Sequence, residues 1–230
     1  GTTMINEKMA HAAANNSAVR EMFEEGNRLK ALYGPENVYD FSIGNPYFPA
    51  PESVKTAVFD ILNTTDPLTV HGYMPNDGFP AVRQTVAEYI NETFGDNISG
   101  DNIVMTVGAA GGMNAILKAL LNPGDEVLVP APYFLEYGHY VENYGGTLVP
   151  VLSKEEDGFM PDIPALAAAI NANTKAMILN NPNNPTGRLI PLPLLEQILQ
   201  YCAAQGARLF LDECFLDLTE DGVSAKSLLA

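Results

Sequence analysis

Residues 176–212 read AMILNNPNNPTGRLIPLPLLEQILQYCAAQGARLFLD. An apolar run at 176–180 gives way to a loop of Asn, Pro, Thr and Gly. A helical pattern over 192–204 follows, and then a second apolar run at 208–212. Strand, loop, helix and strand in that order make a βαβ unit, whose two strands lie parallel. The strand runs are apolar at nearly every position instead of alternating, as expected when helices cover both faces of the sheet.

The same alternation extends back towards Asn102. It predicts further strands at 103–107, 126–130 and 147–152, with helices at 109–121, 133–144 and 163–171. Before residue 100 the pattern changes. Val19, Met22, Phe23, Leu29 and Leu32 recur at roughly helical spacing over 17–33, and Gly34-Pro35 stops them. An extended run at 38–43 and an irregular Gly- and Pro-rich stretch at 44–49 come next. Helices are predicted from about Pro51 and from Pro80 to Phe94, the latter with Val82, Val86, Tyr89 and Ile90 inward. The stretch 64–77 between them is polar.

The chain has 230 residues, of which 47% are hydrophobic and 17% charged, enough for one large or two small globular domains. Lys and Arg number 12 against 28 acids, a net charge of −16. That surface repels phosphate backbones and anionic lipid, so neither nucleic acid nor membrane is expected as a partner. No apolar run reaches the ~20 residues of a membrane span, and the first residues show no secretory pattern. Cys202 and Cys214 make no disulfide framework and are expected as reduced core thiols of a cytoplasmic protein. His11, His71 and His139 are scattered, so no metal is expected.

In a parallel sheet covered by helices, the ligand site lies beyond the carboxyl ends of the strands. Gly108-Ala109-Ala110-Gly111-Gly112 opens a helix there, exposing backbone N–H groups that suit a phosphate; tight strand–helix packing would explain the glycines equally. Tyr133 and Phe134 could wall a flat ring, or be rim aromatics. The loop 180–187 offers amide side chains, though Asn, Pro and Gly also make plain turns. Asp212 ends an apolar strand, where a carboxylate is costly unless it meets donors or a cation. Capping a helix or pairing with an Arg would also account for it. A phosphorylated pyridine ring needs this set of a cradle, a wall, an amide and a carboxylate.

Asn183-Asn184-Pro185-Thr186-Gly187 followed by Leu211-Asp212-Glu213, with Tyr73, Gly78 and Arg83 and then Asn122-Pro123-Gly124-Asp125 upstream, resembles the fold-type I pyridoxal-phosphate enzymes, specifically the class I/II aminotransferases near aspartate aminotransferase. The resemblance covers about 40–218. It implies a three-layer α/β/α transferase-like fold with a mainly parallel sheet, ending before the last strands and the C-terminal small domain. Residues 1–50 would be the arm and a small-domain segment, and 51–230 the large cofactor-binding domain.

The resemblance also implies roles, with pyridoxal 5'-phosphate as cofactor. Gly108 lies at the phosphate turn, where Ala109 and Ala110 match the residues whose N–H groups bind phosphate, and Tyr73 matches a tyrosine reaching the phosphate of a neighbouring subunit in a homodimer. Phe134 stands where an aromatic stacks on the ring. Asn184 matches the donor to the ring hydroxyl oxygen, Asp212 the acid paired with the ring nitrogen, and Gly44 a backbone N–H near the substrate carboxylate. The implied reaction transfers an amino group between an amino acid and a 2-oxo acid.

This sequence departs from the family pattern in three ways. Phe215 stands where the family usually has Tyr, which removes one donor to the ring hydroxyl oxygen and leaves a decarboxylase of the threonine-phosphate type as an alternative. The turn residues are Ala109-Ala110, a mild change because the donors are backbone. The family's Schiff-base lysine belongs beyond Ala230; Lys226 follows Asp212 too soon to match it. The chain alone is therefore expected to hold the cofactor non-covalently, and an inactive fragment is the further alternative.

Overall fold

In the computed structural model the described residues are 4–14, 18–42, 44 and 48–219. The chain divides into two compact units, Gly1–Gly72 and Tyr73–Ala230. Compactness groups helices 52–64 and 67–70 with the N-terminal unit, whereas the expected segments 1–50 and 51–230 divide the chain by family role.

The N-terminal unit contains α1 (Glu7–Ala14), α2 (Ala18–Tyr33), α3 (Glu52–Thr64) and α4 (Pro67–Val70). The short helices α1 and α4 were not anticipated. Helix α2 ends where expected, at Gly34 with φ 86° and Pro35. The run 38–42 has no ladder partner among the described residues, and an ion pair returns it to α2: Lys30 Nζ lies 2.7 Å from Asp40 Oδ2. Ser42 donates to Asp40 Oδ1 through its N–H (3.0 Å) and its hydroxyl (2.6 Å). Gly26 permits this approach, because a Cβ there would stand 2.8 Å from Asp40 Oδ2.

The C-terminal unit begins with α5 (Pro80–Phe94), which ends at Gly95 in the left-handed region. Of the residues expected inward, Val86 and Ile90 are half-buried while Val82 and Tyr89 are exposed, and Ala87, which was not expected there, is fully buried. The same side of the helix carries Arg83, whose guanidinium reaches Asp77 (3.0 Å) and donates to the Gly100 carbonyl (2.9 Å).

After α5 come α6 (Gly108–Leu120), β1 (Glu126–Ala131), α7 (Glu136–Glu142), β2 (Thr147–Leu152), α8 (Ile163–Ala169), β3 (Thr174–Asn180), α9 (Leu192–Ala204) and β4 (Arg208–Asp212). The strands pair in the order β2-β1-β3-β4, every pair parallel. The expected strand at 103–107 is absent among the described residues. That segment forms no strand; its Met105 N–H bonds to the Asp77 carbonyl (3.0 Å), and no described strand pairs with it.

Period-two geometry sorts the strand side chains into two cores. Leu128, Met177 and Leu179 point to one face and pack with Leu166 of α8 and Leu195, Ile198 and Cys202 of α9. Val127, Val129, Ala176 and Ile178 point to the other face, against Leu117 of α6 and Tyr137 and Val141 of α7. The result is the three-layer α/β/α arrangement with a parallel sheet that the sequence implies. The same alternation carries Asn180 and Asp212, two residues beyond Ile178 and Phe210, onto the α6/α7 face. Their register is fixed, since Asn180 pairs with Asp212 across β3 and β4.

Candidate active site

The chain leaves β1 in one direction to form β2 and returns on the other side of β1 to form β3. Such a reversal opens a crevice at the carboxyl ends of the strands. There a cavity of about 230 Å³ is lined by Ala109, Ala110, Phe134, Asn184, Asp212 and Phe215, among others. Five predicted site residues therefore meet in one cavity. Gly108 adjoins it as the first residue of α6, with φ 65°. Tyr73 is fully exposed and does not line the cavity, Gly44 belongs to the other compact unit, and Lys226 lies outside the described residues.

Helix α6 presents its N-terminus without a cap, because Val107 at the N-cap position offers no side-chain acceptor. Gly111 N–H bonds back to the Val107 carbonyl (3.3 Å), so Ala109 and Ala110 are the positions whose N–H groups have no acceptor one turn back. These orphan donors and the positive end of the helix dipole are chemically suited to an anion.

The loop after β3 uses its amides unequally. Asn181 Oδ1 accepts from the Ile190 N–H (2.8 Å), and Asn183 donates to the Thr186 hydroxyl oxygen (2.8 Å). Asn180 accepts from the Asn184 N–H (2.6 Å) and donates to the Asp212 carbonyl (2.9 Å), joining β3 to β4. These three side chains hold the loop, while the Asn184 side chain bonds no other described residue and lines the cavity. The plain-turn explanation thus accounts for three amides and leaves the fourth.

Asp212 stands half-buried at the end of β4. Its Oδ2 accepts from the Tyr137 hydroxyl (2.6 Å) and its Oδ1 from the Cys214 N–H (3.1 Å). No Lys or Arg pairs with it among the described residues, so the arginine explanation fails; the Cys214 bond is the local turn contact. Burial, the hydrogen bond to Asp212 and its charge raise the Tyr137 hydroxyl far above its usual range, and the group remains a donor. The Cys214 thiol is pushed up to about 11, by burial first and then by its hydrogen bond to Asp212. Cys214 is exposed, which corrects the core-thiol expectation for this residue; Cys202 is buried as expected.

Sequence reasoning missed Tyr137, Tyr140, Met113 and Cys214, all of which line the cavity. Phe134 meets Tyr137 edge-to-face, with centroids 5.5 Å apart and planes at 86°. The spacing of Phe134, Tyr137 and Val141 was available as a helical signal, but it reads equally well as core. Among the described residues no group of three or more His, Cys, Asp or Glu side chains could hold a metal ion, and no helix is long and apolar enough to cross a membrane.

A helix start with free N–H groups and a carboxylate without a cationic partner among the described residues face one cavity at the switch point of a parallel sheet, which makes this an α/β protein with a candidate ligand site at its strand ends. The family Aminotransferase class I and II matches residues 36–229, and the chain belongs to that family. It is 32% identical to the aspartate/prephenate aminotransferase of Thermus thermophilus over 94% of this chain and 52% of that protein. It is 33% identical to the arginine–pyruvate transaminase of Pseudomonas aeruginosa over 84% of this chain and 49% of that one. A crystal structure of an aminotransferase from Eubacterium rectale superposes with a TM-score of 0.90 at 35% identity, covering 97% of this chain and 58% of that chain. The chain spans about half the length of the curated relatives it matches.

Proposed function

We propose that the chain forms the cofactor-binding part of a pyridoxal-phosphate-dependent aminotransferase of the cytoplasm. Its reaction moves an amino group between an amino acid and a 2-oxo acid. One observation carries this reading: the uncapped start of α6 and the cation-free carboxylate of Asp212 share one cavity with the unengaged amide of Asn184. When bound, the protonated ring serves as the electron sink of the reaction.

The residues divide the work by charge. The N–H groups of Ala109 and Ala110 bind the phosphate, to which the helix dipole adds up to ~2 kcal/mol in favourable geometry. Asp212 keeps the proton on the ring nitrogen through a charge-assisted hydrogen bond. Asn184 donates to the ring hydroxyl oxygen, and it does so without a tyrosine partner because Phe215 has no hydroxyl. Phe134 offers its face to the ring. The exposed Tyr73 serves the phosphate of a second subunit in a homodimer, and Gly44 offers its N–H to the substrate carboxylate. The names of the Thermus and Pseudomonas relatives cover acidic and basic amino acids, so the proposal extends to amino acids as a class.

Pyridoxamine 5'-phosphate tests the site directly, because its binding requires no lysine. Asp212→Ala is expected to weaken that binding by about ten-fold or more, the loss of a hydrogen bond to a charged group. Equal affinity in the variant would remove Asp212 from the site. In the intact protein the same substitution is expected to lower the amino-transfer rate by orders of magnitude.

A further inference from the structure

Tyr137 is the most enclosed polar side chain at the cavity, only 1% exposed. It touches two parts of the site at once. Its ring meets that of Phe134 edge-to-face, with centroids 5.5 Å apart, and its hydroxyl donates to Asp212 Oδ2 at 2.6 Å, a bond that spans 75 residues of sequence. Helix α7 fixes it from behind, where Val141 and Leu117 complete the same core. The Asp212 carboxylate has three other restraints: the strand end that carries it, the Cys214 N–H on Oδ1 and the Cys214 thiol, which also hydrogen-bonds to the carboxylate. The first two leave Oδ2 free to move, and the thiol is a weak donor on an exposed residue. The only described side-chain oxygen bonded to Oδ2 is that of Tyr137.

We propose that Tyr137 is a positioning residue, which holds the plane of the Asp212 carboxylate against the ring nitrogen and sets its distance from the aromatic wall at Phe134. The inference rests on the cofactor reading above. A carboxylate that is free to rotate spends part of its time turned from its partner, and a locked one has already lost that freedom before binding. Tyr137 also satisfies one oxygen of a half-buried carboxylate without neutralising it, so the charge remains available to a cation. A lysine or arginine at this position would hold Asp212 equally well but would cancel its charge. A neutral donor is therefore what the task requires. The raised Tyr137 hydroxyl keeps its proton throughout the working pH range, so the clamp does not open with pH.

The test compares two probes on the wild-type chain and on Tyr137→Phe: pyridoxamine 5'-phosphate and its deaza analogue, in which CH replaces the ring nitrogen. Tyr137→Phe is expected to weaken the first by about three- to ten-fold and leave the second unchanged, since only the first engages Asp212. In an Asp212→Ala background the Tyr137 effect is expected to vanish, because the two residues act as one unit. Equal weakening of both probes would assign Tyr137 a packing role and overturn the proposal, as would no weakening of either. If the folded wild-type chain binds neither probe, the cofactor reading itself fails and the inference falls with it. Should Tyr137→Phe not fold, 3-fluorotyrosine at position 137 keeps the shape and alters the donor. It is then expected to shift the affinity of the ring-nitrogen probe alone, and a uniform or absent shift would overturn the proposal.

Discussion

Cys214 follows Asp212 by two residues, and its thiol shares the carboxylate with Tyr137. With the thiol pushed up from 9.0 to about 11, the thiolate at pH 7.5 is scarcer than for an unperturbed cysteine by roughly 100-fold. The greater nucleophilicity of a more basic thiolate offsets this by only about 10-fold. Exposed Cys214 is thus expected to react with iodoacetamide on the order of ten times more slowly than a free thiol. Asp212→Asn, which removes the charge, is expected to speed it. Mass spectrometry of the labelled chain reads both rates, and equal rates in the two proteins would separate the thiol from Asp212. At this scale the sequence showed which residue types the site needs but not their partners. Asp212 and Asn184 could be read because an acid at a strand end and an amide in a stiff loop are locally odd. Tyr137 could not, because its meaning depends on a partner 75 residues away.

Element boundaries were legible wherever local chemistry agreed with packing. The predicted helices at 80–94 and 192–204 and the strands at 147–152 and 208–212 match the observed bounds, with proline in the first turn of both helices and Gly95 ending the first. Helix α7 is shorter than the predicted 133–144, because Tyr133 and Phe134 leave the helix to line the crevice beside Pro132. The segment 103–107 has strand composition but no partner strand, and composition alone cannot report pairing. The tie between α2 and the run 38–42 was also invisible to periodicity. It has a pH signature. Asp40 is held well below the usual carboxylate range by Lys30 first and then Ser42. Its folded value lies below its unfolded one, so its contribution to stability is complete above about pH 4 and is lost as the pH falls further. Asp40→Asn is expected to melt below the wild type at pH 7, with the difference narrowing as the pH drops towards 2. Thermal unfolding followed by circular dichroism checks this, and a difference independent of pH would remove the ion pair from the account.

At the scale of the molecule, the layered arrangement of the C-terminal unit was legible because its strands are apolar on both faces and its helices separate them regularly. The strand order was not, since no residue type distinguishes a strand returning to the left of β1 from one returning to the right. That order puts β3 between two neighbours and leaves β4 paired only with β3 among the described residues. In a parallel strand, successive N–H groups point to opposite sides, so alternate amides of β4 face away from β3. This asymmetry should be visible as a clock. In deuterated water the β4 amides bonded to β3 are expected to exchange slowly, and the intervening ones within the same five residues quickly, while β3, flanked on both sides where β1 reaches it, exchanges more uniformly. Residue-resolved exchange would read the sheet's incomplete border directly from the rhythm of its isotope uptake, and uniform protection along β4 would mean that another segment covers that border in solution.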